Sequence, residues 1–272
     1  MKKKRNTTII KSNSLIEGKY SFSLIEMKLL LSVISQIKIE DDNFSRYRVF
    51  ILDFKEDIGM KGDIYNYLKN ICKSLKSKDI EIETETGHLI TSYVSDIQLY
   101  RKKGYIDLWI SPKLKPYLLK LRKSFTIYDI RNVLSLSSTQ SIRIYQLRKQ
   151  WESIGTRTFQ IDTLKDILGI DKNQYTRWSD FKKRVIDSSY NQLKKHSDIY
   201  FEYRTKRKGR FIDSITFIIK KQRQKRMFDT KEESEEDILK ISYHQDLTEK
   251  VVNLQQDFDE GMSFKDFKKK PD

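Results

Sequence analysis

The chain has 272 residues, 38% of them hydrophobic, with one cysteine and 54 lysines and arginines against 38 acids, a net charge of +16. That length makes two domains the expectation, a single thiol excludes a disulfide framework, and this hydrophobic content excludes disorder throughout. No apolar run approaches the roughly 20 residues of a membrane span, and Met1-Lys2-Lys3-Lys4-Arg5 is not followed by the apolar run of a signal peptide, so a cytoplasmic protein is expected.

The charge is uneven: residues 1–221 carry 44 basic and 25 acidic side chains, whereas 222–272 carry 10 and 13. A body that basic needs a polyanionic partner or bears its own repulsion. A membrane surface is the competing partner, but the sequence shows neither a basic amphipathic helix nor a lipidation motif, so no membrane role is expected. The richness in Lys, Ile and Asn points to an AT-rich genome.

Residues 1–12 read as a basic, mobile arm that either touches DNA backbone or serves only as a solubilising end. Ser23, followed three residues later by Glu26 and then by Met27-Lys28-Leu29-Leu30-Leu31-Ser32-Val33-Ile34, forms a capping box that opens a core helix. Alternation predicts a strand over 47–52, and Asp53 is expected to cap a short helix ending near Gly59. A helix over 63–78 turns Leu68, Cys72 and Leu75 inward, which buries the thiol, and Lys69, Lys73 and Lys76 outward. Strands follow over 80–85, 89–100 and 105–110, the last two joined at a basic tip, Arg101-Lys102-Lys103-Gly104. Ser111-Pro112 closes the sheet, and 114–121 begins a helical connector.

The pattern weakens over 124–137, read as a junction, and the series then begins again. A helix over 138–153, with Ile142, Tyr145 and Leu147 among its apolar positions, leads to a strand over 156–161, a short helix and a long helix that starts near Tyr175. On a 100° wheel Phe181, Val185, Ser189 and Leu193 share one face with Ile186 beside them, and small Ser188 and Ser189 allow a close helix neighbour. Lys183 lies opposite that stripe, and Arg177, Asp180, Arg184, Asp187 and Asn191 flank it. A strand over 198–204, the basic turn Lys206-Arg207-Lys208-Gly209-Arg210 and a strand over 211–220 complete the half.

Arg48-Val49-Phe50-Ile51-Leu52-Asp53 aligns with Arg157-Thr158-Phe159-Gln160-Ile161-Asp162, and the match runs on to Gly59 and Gly169 if one residue is inserted before the second glycine. Strand, short helix, glycine turn, long helix and basic hairpin make a winged helix-turn-helix. The expected fold is therefore α+β: two tandem winged-helix domains of duplicated topology, the first over 13–123 and the second, the principal reader of sequence, over 138–221. The tail over 222–272, with its acid run Glu232-Glu233-Ser234-Glu235-Glu236-Asp237, reads as a loosely ordered appendage, either a protein-docking segment or a solvated end.

Chemistry has little support. His88, His196 and His244 lie in different elements with no second ligand at metal spacing, and nine glycines include no Walker-type Gly-Lys-Ser/Thr, so no metal, cofactor or nucleotide hydrolysis is expected. A nickase would need a His-x-His pair beside a tyrosine, and only tyrosines are supplied. Asp180 and Asp187 suit base or water contacts, or repulsion that rejects wrong sequences, better than catalysis. Trp109 and Trp151 read as core residues, and Trp178 as an anchor at the start of the long helix.

Four stretches in this order resemble the plasmid replication initiator proteins of the two-winged-helix, iteron-binding type. They are Ser21-Phe22-Ser23-Leu24-Ile25-Glu26-Met27-Lys28-Leu29-Leu30-Leu31, Ser141-Ile142-Arg143-Ile144-Tyr145-Gln146-Leu147, Trp178-Ser179-Asp180-Phe181-Lys182-Lys183-Arg184-Val185-Ile186, and Lys208-Gly209-Arg210 with Ile215-Thr216-Phe217. The resemblance covers about 13–221 and implies a non-enzymatic protein that binds repeats at the origin as a monomer, promotes opening of adjacent DNA and recruits the host replication initiator and helicase. It further implies a homodimer, formed chiefly through the first domain, in equilibrium with the monomer and repressing its own gene at an operator, a form of plasmid copy control. On the matched positions Arg177, Lys183, Arg184 and Asn191 would read DNA, Lys206, Arg207, Lys208 and Arg210 would hold phosphates, and Lys69, Lys73, Lys76, Arg101, Lys102 and Lys103 would do so in the first domain. Where relatives tend to have a proline-containing turn and then Glu-Ile-Asn, this chain has Ser188-Ser189 and Gln192-Leu193-Lys194, which leaves base preference open. The alternatives are a winged-helix transcription regulator with no replication role and a nucleolytic enzyme.

Overall fold

The computed structural model describes residues 6–38, 40–60 and 65–222. The appendage expected beyond Gln222, the run Met1-Lys2-Lys3-Lys4-Arg5, Asp63 and His244 lie outside the described residues.

The first half starts with strand β1 (Thr8–Ser12) and the short helix α1 (Asn13–Glu17). Helix α2 (Leu24–Ile34) opens on the expected capping box: Ser23 Oγ accepts from Glu26 N and Glu26 Oε2 accepts from Ser23 N at 2.7 Å, while Lys78 Nζ donates to the same carboxylate at 2.6 Å. Apolar almost all round, α2 is covered on nearly every side. Strand β2 (Tyr47–Phe50) runs directly into α3 (Ile51–Asp57). Asp53 is not the cap expected of it: Phe50 holds that position without a side-chain bond, and Asp53 sits in the first turn, where the helix dipole favours a carboxylate.

Helix α4 (Tyr65–Lys76) buries Leu68, Ile71, Cys72 and Leu75, and burial pushes the Cys72 thiol up to about 11. Next come β3 (Asp79–Thr84), β4 (Gly87–Ser92), β5 (Val94–Tyr100) and β6 (Tyr105–Ile110). The strand expected over 89–100 is thus two. It breaks at buried Tyr93, so that β4 pairs with β3 while β5 joins an antiparallel sheet of order β2-β6-β5.

After α5 (Lys115–Leu118) comes β7 (Phe125–Asp129), followed by α6 (Arg131–Leu134) and α7 (Thr139–Lys149). From Thr8 on, the segment read as a mobile arm is strand β1, paired antiparallel with β7 in the stretch read as a junction, with Ile10 opposite Ile127. Strands β8 (Thr156–Gln160), β9 (Ile199–Lys208) and β10 (Phe211–Lys221) form a sheet of order β8-β10-β9. Between β8 and β9 lie α8 (Ile161–Ile167) and a long helix, 178–196.

The duplication holds, but in a different register from the one that identities suggest. Ile51, Phe54 and Gly59 correspond to Ile161, Leu164 and Gly169, with no insertion anywhere between them. Strand parity decides the matter, since Val49 and Phe159 both face the core one residue before the last of their strands. Gly169 has φ +67, and a Cβ there would lie 2.3 Å from the carbonyl oxygen of Tyr20, so the turn of the second half docks against the first only as glycine.

Helix α7 is buried from Ser141 to Arg148 and lies between the halves. Arg143 donates to Tyr20 Oη, to Gly18 O at 2.6 Å and to Ile167 O at 2.7 Å. Arg148 is equally buried, yet none of its three guanidinium nitrogens has a hydrogen-bond partner among the described residues; it rests 4.0 Å from the Phe217 ring and 4.9 Å from that of Phe159. Burial, with the charge of Arg157 nearby, drives its pKa well below the ordinary arginine value. A buried cation with no partner costs more than an apolar side chain of the same shape. Arg148→Met is expected to raise unfolding stability by about 2 kcal/mol, and Arg143→Ala to lower it by about 3 kcal/mol because a carbonyl pair and a phenol lose their donor. Urea denaturation of the two variants measures both, and equal destabilisation would show that Arg148 is stabilising where it lies.

Candidate nucleic-acid interface

The long helix is built in three parts: α9 (Trp178–Phe181), a π turn (Lys182–Asp187) and α10 (Ser188–His196). Phe181, Val185, Ser189 and Leu193 are all buried, as the wheel predicts. Twelve residues of straight α-helix would spread that stripe over about 120°, and the wider π turn takes up the drift. Lys182 Nζ donates to Asp187 Oδ2 at 2.7 Å, and Tyr203 Oη donates to Asp187 Oδ1 at 3.0 Å, so one carboxylate ties the turn to strand β9. Ser189 meets Ser141 of α7 at 3.0 Å, the close approach its small side chain allows.

The stripe leaves Lys183, Arg184, Asn191, Lys194 and Lys195 exposed, with Arg177 exposed just before the helix. Tyr175, at the entry, has a left-handed backbone at φ +51, and its carbonyl accepts from Lys165 at 2.9 Å. The hairpin β9–β10 closes through a two-residue turn in which Gly209 has φ +62, and Lys206, Arg207, Lys208 and Arg210 are all exposed. A cleft of about 370 Å³ separates hairpin tip from helix start, lined by Lys165, Trp178, Lys208, Phe211 and Asp213 among others.

In the first half α4 turns Lys69, Lys73 and Lys76 outward, and the β5–β6 tip is a tight 3₁₀ turn, Arg101–Lys103, closed by Gly104 at φ +68. Each half therefore presents an outward cationic helix face and a cationic hairpin tip. No group of side chains that could hold a metal occurs among the described residues, and none of their helices is long and apolar enough to cross a membrane.

Residues 8–149 match the family model described as Initiator Replication protein, WH1, and residues 160–219 match Initiator Rep protein, WH2. The chain belongs to this family of initiator replication proteins. Its two winged-helix domains share their fold with a Pi initiator protein whose crystal structure was solved in complex with iteron DNA: the TM-score is 0.68 at 19% identity, over 82% of this chain and 100% of that one. Domains 2 and 3 of RctB superpose more loosely, with a TM-score of 0.42 at 11% identity over 82% of this chain and 94% of that one. An uncharacterized 27.6 kDa protein of Escherichia coli is 21% identical over 219 residues, 75% of this chain and 92% of its own length.

All fourteen residues singled out in the initiator's sequence are at its surface, and none forms an ion pair among the described residues; Arg101 lies over the Tyr65 ring and Lys103 over that of Tyr100. Other readings need adjustment. Trp109 and Trp151 are half-buried rather than core, and Arg157 lies 4.6 Å over the Trp151 ring. Trp178 is half-buried against Phe181, with ring centroids 5.9 Å apart, in keeping with an anchor. Lys11, Arg143 and Arg148 count toward the net charge but are buried, so they present nothing to a partner. Sequence reasoning missed exposed Phe211 beside the tip, and it missed Lys194 and Lys195 although they follow Asn191 on the same helix.

Asp187 offers a direct check on the π turn. Asp187→Ala is expected to cost about 1 kcal/mol, since its bonds are partly exposed, and to speed amide exchange across 182–187. Unchanged exchange there would show that packing of Val185 and Ile186, not the carboxylate, holds the turn.

Proposed function

We propose that this initiator binds repeated sequences in double-stranded DNA at a plasmid replication origin, with helix 178–196 in a major groove and the β9–β10 tip along neighbouring phosphates. The observation that carries this reading is the juxtaposition, in the second winged helix, of an outward helix face and a hairpin tip whose exposed lysines and arginines have no ion-pair partner among the described residues. Family membership and the fold shared with a Pi protein solved on iteron DNA support it. Arg177, Lys183, Arg184 and Asn191 then approach base edges, while Lys206, Arg207, Lys208 and Arg210 hold phosphates. Lys69, Lys73, Lys76, Arg101, Lys102 and Lys103 do the same for the first domain.

The chain acts by binding, not by catalysis. It helps open adjacent AT-rich duplex, recruits the host initiator and helicase, and as a dimer represses its own gene. Six to ten phosphate contacts, roughly, make such binding steeply salt-dependent, whereas one arginine bidentate to guanine discriminates by about 1–3 kcal/mol.

DNase footprinting on the DNA that encodes the chain tests the reading: protection of a repeat array is expected, and no protected site anywhere would overturn it. Protection without any loss of replication on deletion of the gene would make the chain a transcription regulator. Arg184→Ala and Lys183→Ala should weaken cognate repeats more than random DNA, while Lys206→Ala should weaken both alike and flatten the salt slope by about 1. Identical behaviour of the two classes would overturn the division between reading helix and wing.

A further inference from the structure

The outward face of the β2-β6-β5 sheet carries a feature that duplex binding does not use. Phe50, Tyr105 and Tyr100 are cross-strand partners in one row over three strands, so their side chains leave the same face. The alternate row, Val49, Ile106 and Leu99, packs on the core. Ring centroids of Phe50 and Tyr105 are 6.1 Å apart, those of Tyr105 and Tyr100 4.7 Å, and Phe50 is 52% exposed.

The row is edged with positive charge. The Arg48 guanidinium lies 3.7 Å from the Tyr105 ring centroid, and Lys103 Nζ lies 5.6 Å from that of Tyr100. The acid of the next row, Asp107, accepts from Arg48 at 2.7 and 2.8 Å, and its own side chain is wholly buried beneath that pair. The duplicated topology supplies an internal control. The corresponding rows of the β8-β10-β9 sheet are Gln160, Ser214 and Lys206, then Thr158, Thr216 and Arg204, without a ring among them.

We propose that this face is a stacking surface for the unpaired bases of a single DNA strand, with Phe50, Tyr100 and the Arg48 guanidinium plane, which lies over Tyr105, beneath the bases. Aromatic rings flanked by cations suit single strands because every base has a π-face, whereas a duplex keeps its faces stacked inside. A second copy of the chain fits less well, since a two-fold contact here would set like charges against each other. The inference rests on the DNA-binding reading only in taking nucleic acid as the partner.

The test is anisotropy of a labelled oligothymidine strand with the full chain, beside footprinting on the duplex repeats. The wild-type chain is expected to bind the strand; Phe50→Ser with Tyr100→Ser should weaken that binding by about tenfold or more and leave the duplex footprint intact. Phe50→Tyr with Tyr100→Phe should restore it. If the serine pair unfolds by circular dichroism, Phe50→Leu with Tyr100→Leu, which keeps apolar cover but lacks the rings, is the variant to read. No strand binding by the wild type, an affinity unmoved by loss of the rings, or an equal loss on duplex overturns the proposal. So does a sedimentation shift in the ring-less variant with strand binding kept, which assigns the face to a second copy. A missing duplex footprint would sink the preceding reading alone, because the oligothymidine result stands apart from helix 178–196.

Discussion

Arg143 reaches from the buried helix α7 to three groups in two parts of the chain: a phenol and a carbonyl before α2, and the carbonyl of Ile167 at the end of α8. A lysine could not replace it, because only a planar fork offers donors in several fixed directions. The guanidinium also lies 3.8 Å over the Tyr20 ring, with Lys11 5.9 Å from that ring on the neighbouring strand. Burial alone would push the Tyr20 phenol up, but the charges of Arg143 and Lys11 outweigh it and hold the phenol below its usual value. The relative placement of the two winged helices depends on this cluster. Glu17, which accepts from Gln150 at 2.7 Å and Arg157 at 2.6 Å, is a second tie between the same halves.

Two copies of one topology have been given different outer surfaces. Each sheet hides alternate residues, so its core face is constrained while its outward face is free to vary. In the second sheet that face is polar, with Thr158 and Thr216 hydrogen-bonded at 2.7 Å; in the first it is a row of rings. Folding requires neither choice. The tips differ as well, one a 3₁₀ turn with Gly104 and the other a two-residue turn with Gly209.

What could be read from the sequence was whatever a short window contains. The capping box at Ser23, the inward Leu68, Cys72 and Leu75, the stripe from Phe181 to Leu193 and both basic tips are local patterns, and each is present in the fold. The misses share another cause. The β1–β7 pairing joins segments more than a hundred residues apart, and nothing in either segment names the other. Identity drew Arg48 onto Arg157, whereas the alternation of buried Val49 and Phe159 sets a register one residue away. The ring row needed cross-strand register, which no single strand encodes, and the burial of the arginines of α7 depends on a helix that is covered only by distant parts of the chain.

The pitch of helix 178–196 links fold to function. Its buried residues recur every four positions, a spacing that an α-helix cannot keep on one side for long, so either the stripe leaves the core or the helix widens. It widens at Lys182–Asp187, and exposed Lys183 and Arg184 lie within that turn. Asp187 is held from within the turn by Lys182 and from β9 by Tyr203, so the direction in which the two cations point is coupled to the strand that leads to the hairpin tip. Helix and wing then form one mechanical unit. The carboxylate of Asp187 adds a polar tie within the π turn to those made further along by Tyr190 against Phe201 and by Gln222 with the carbonyls of Leu193, Lys194 and Ser197.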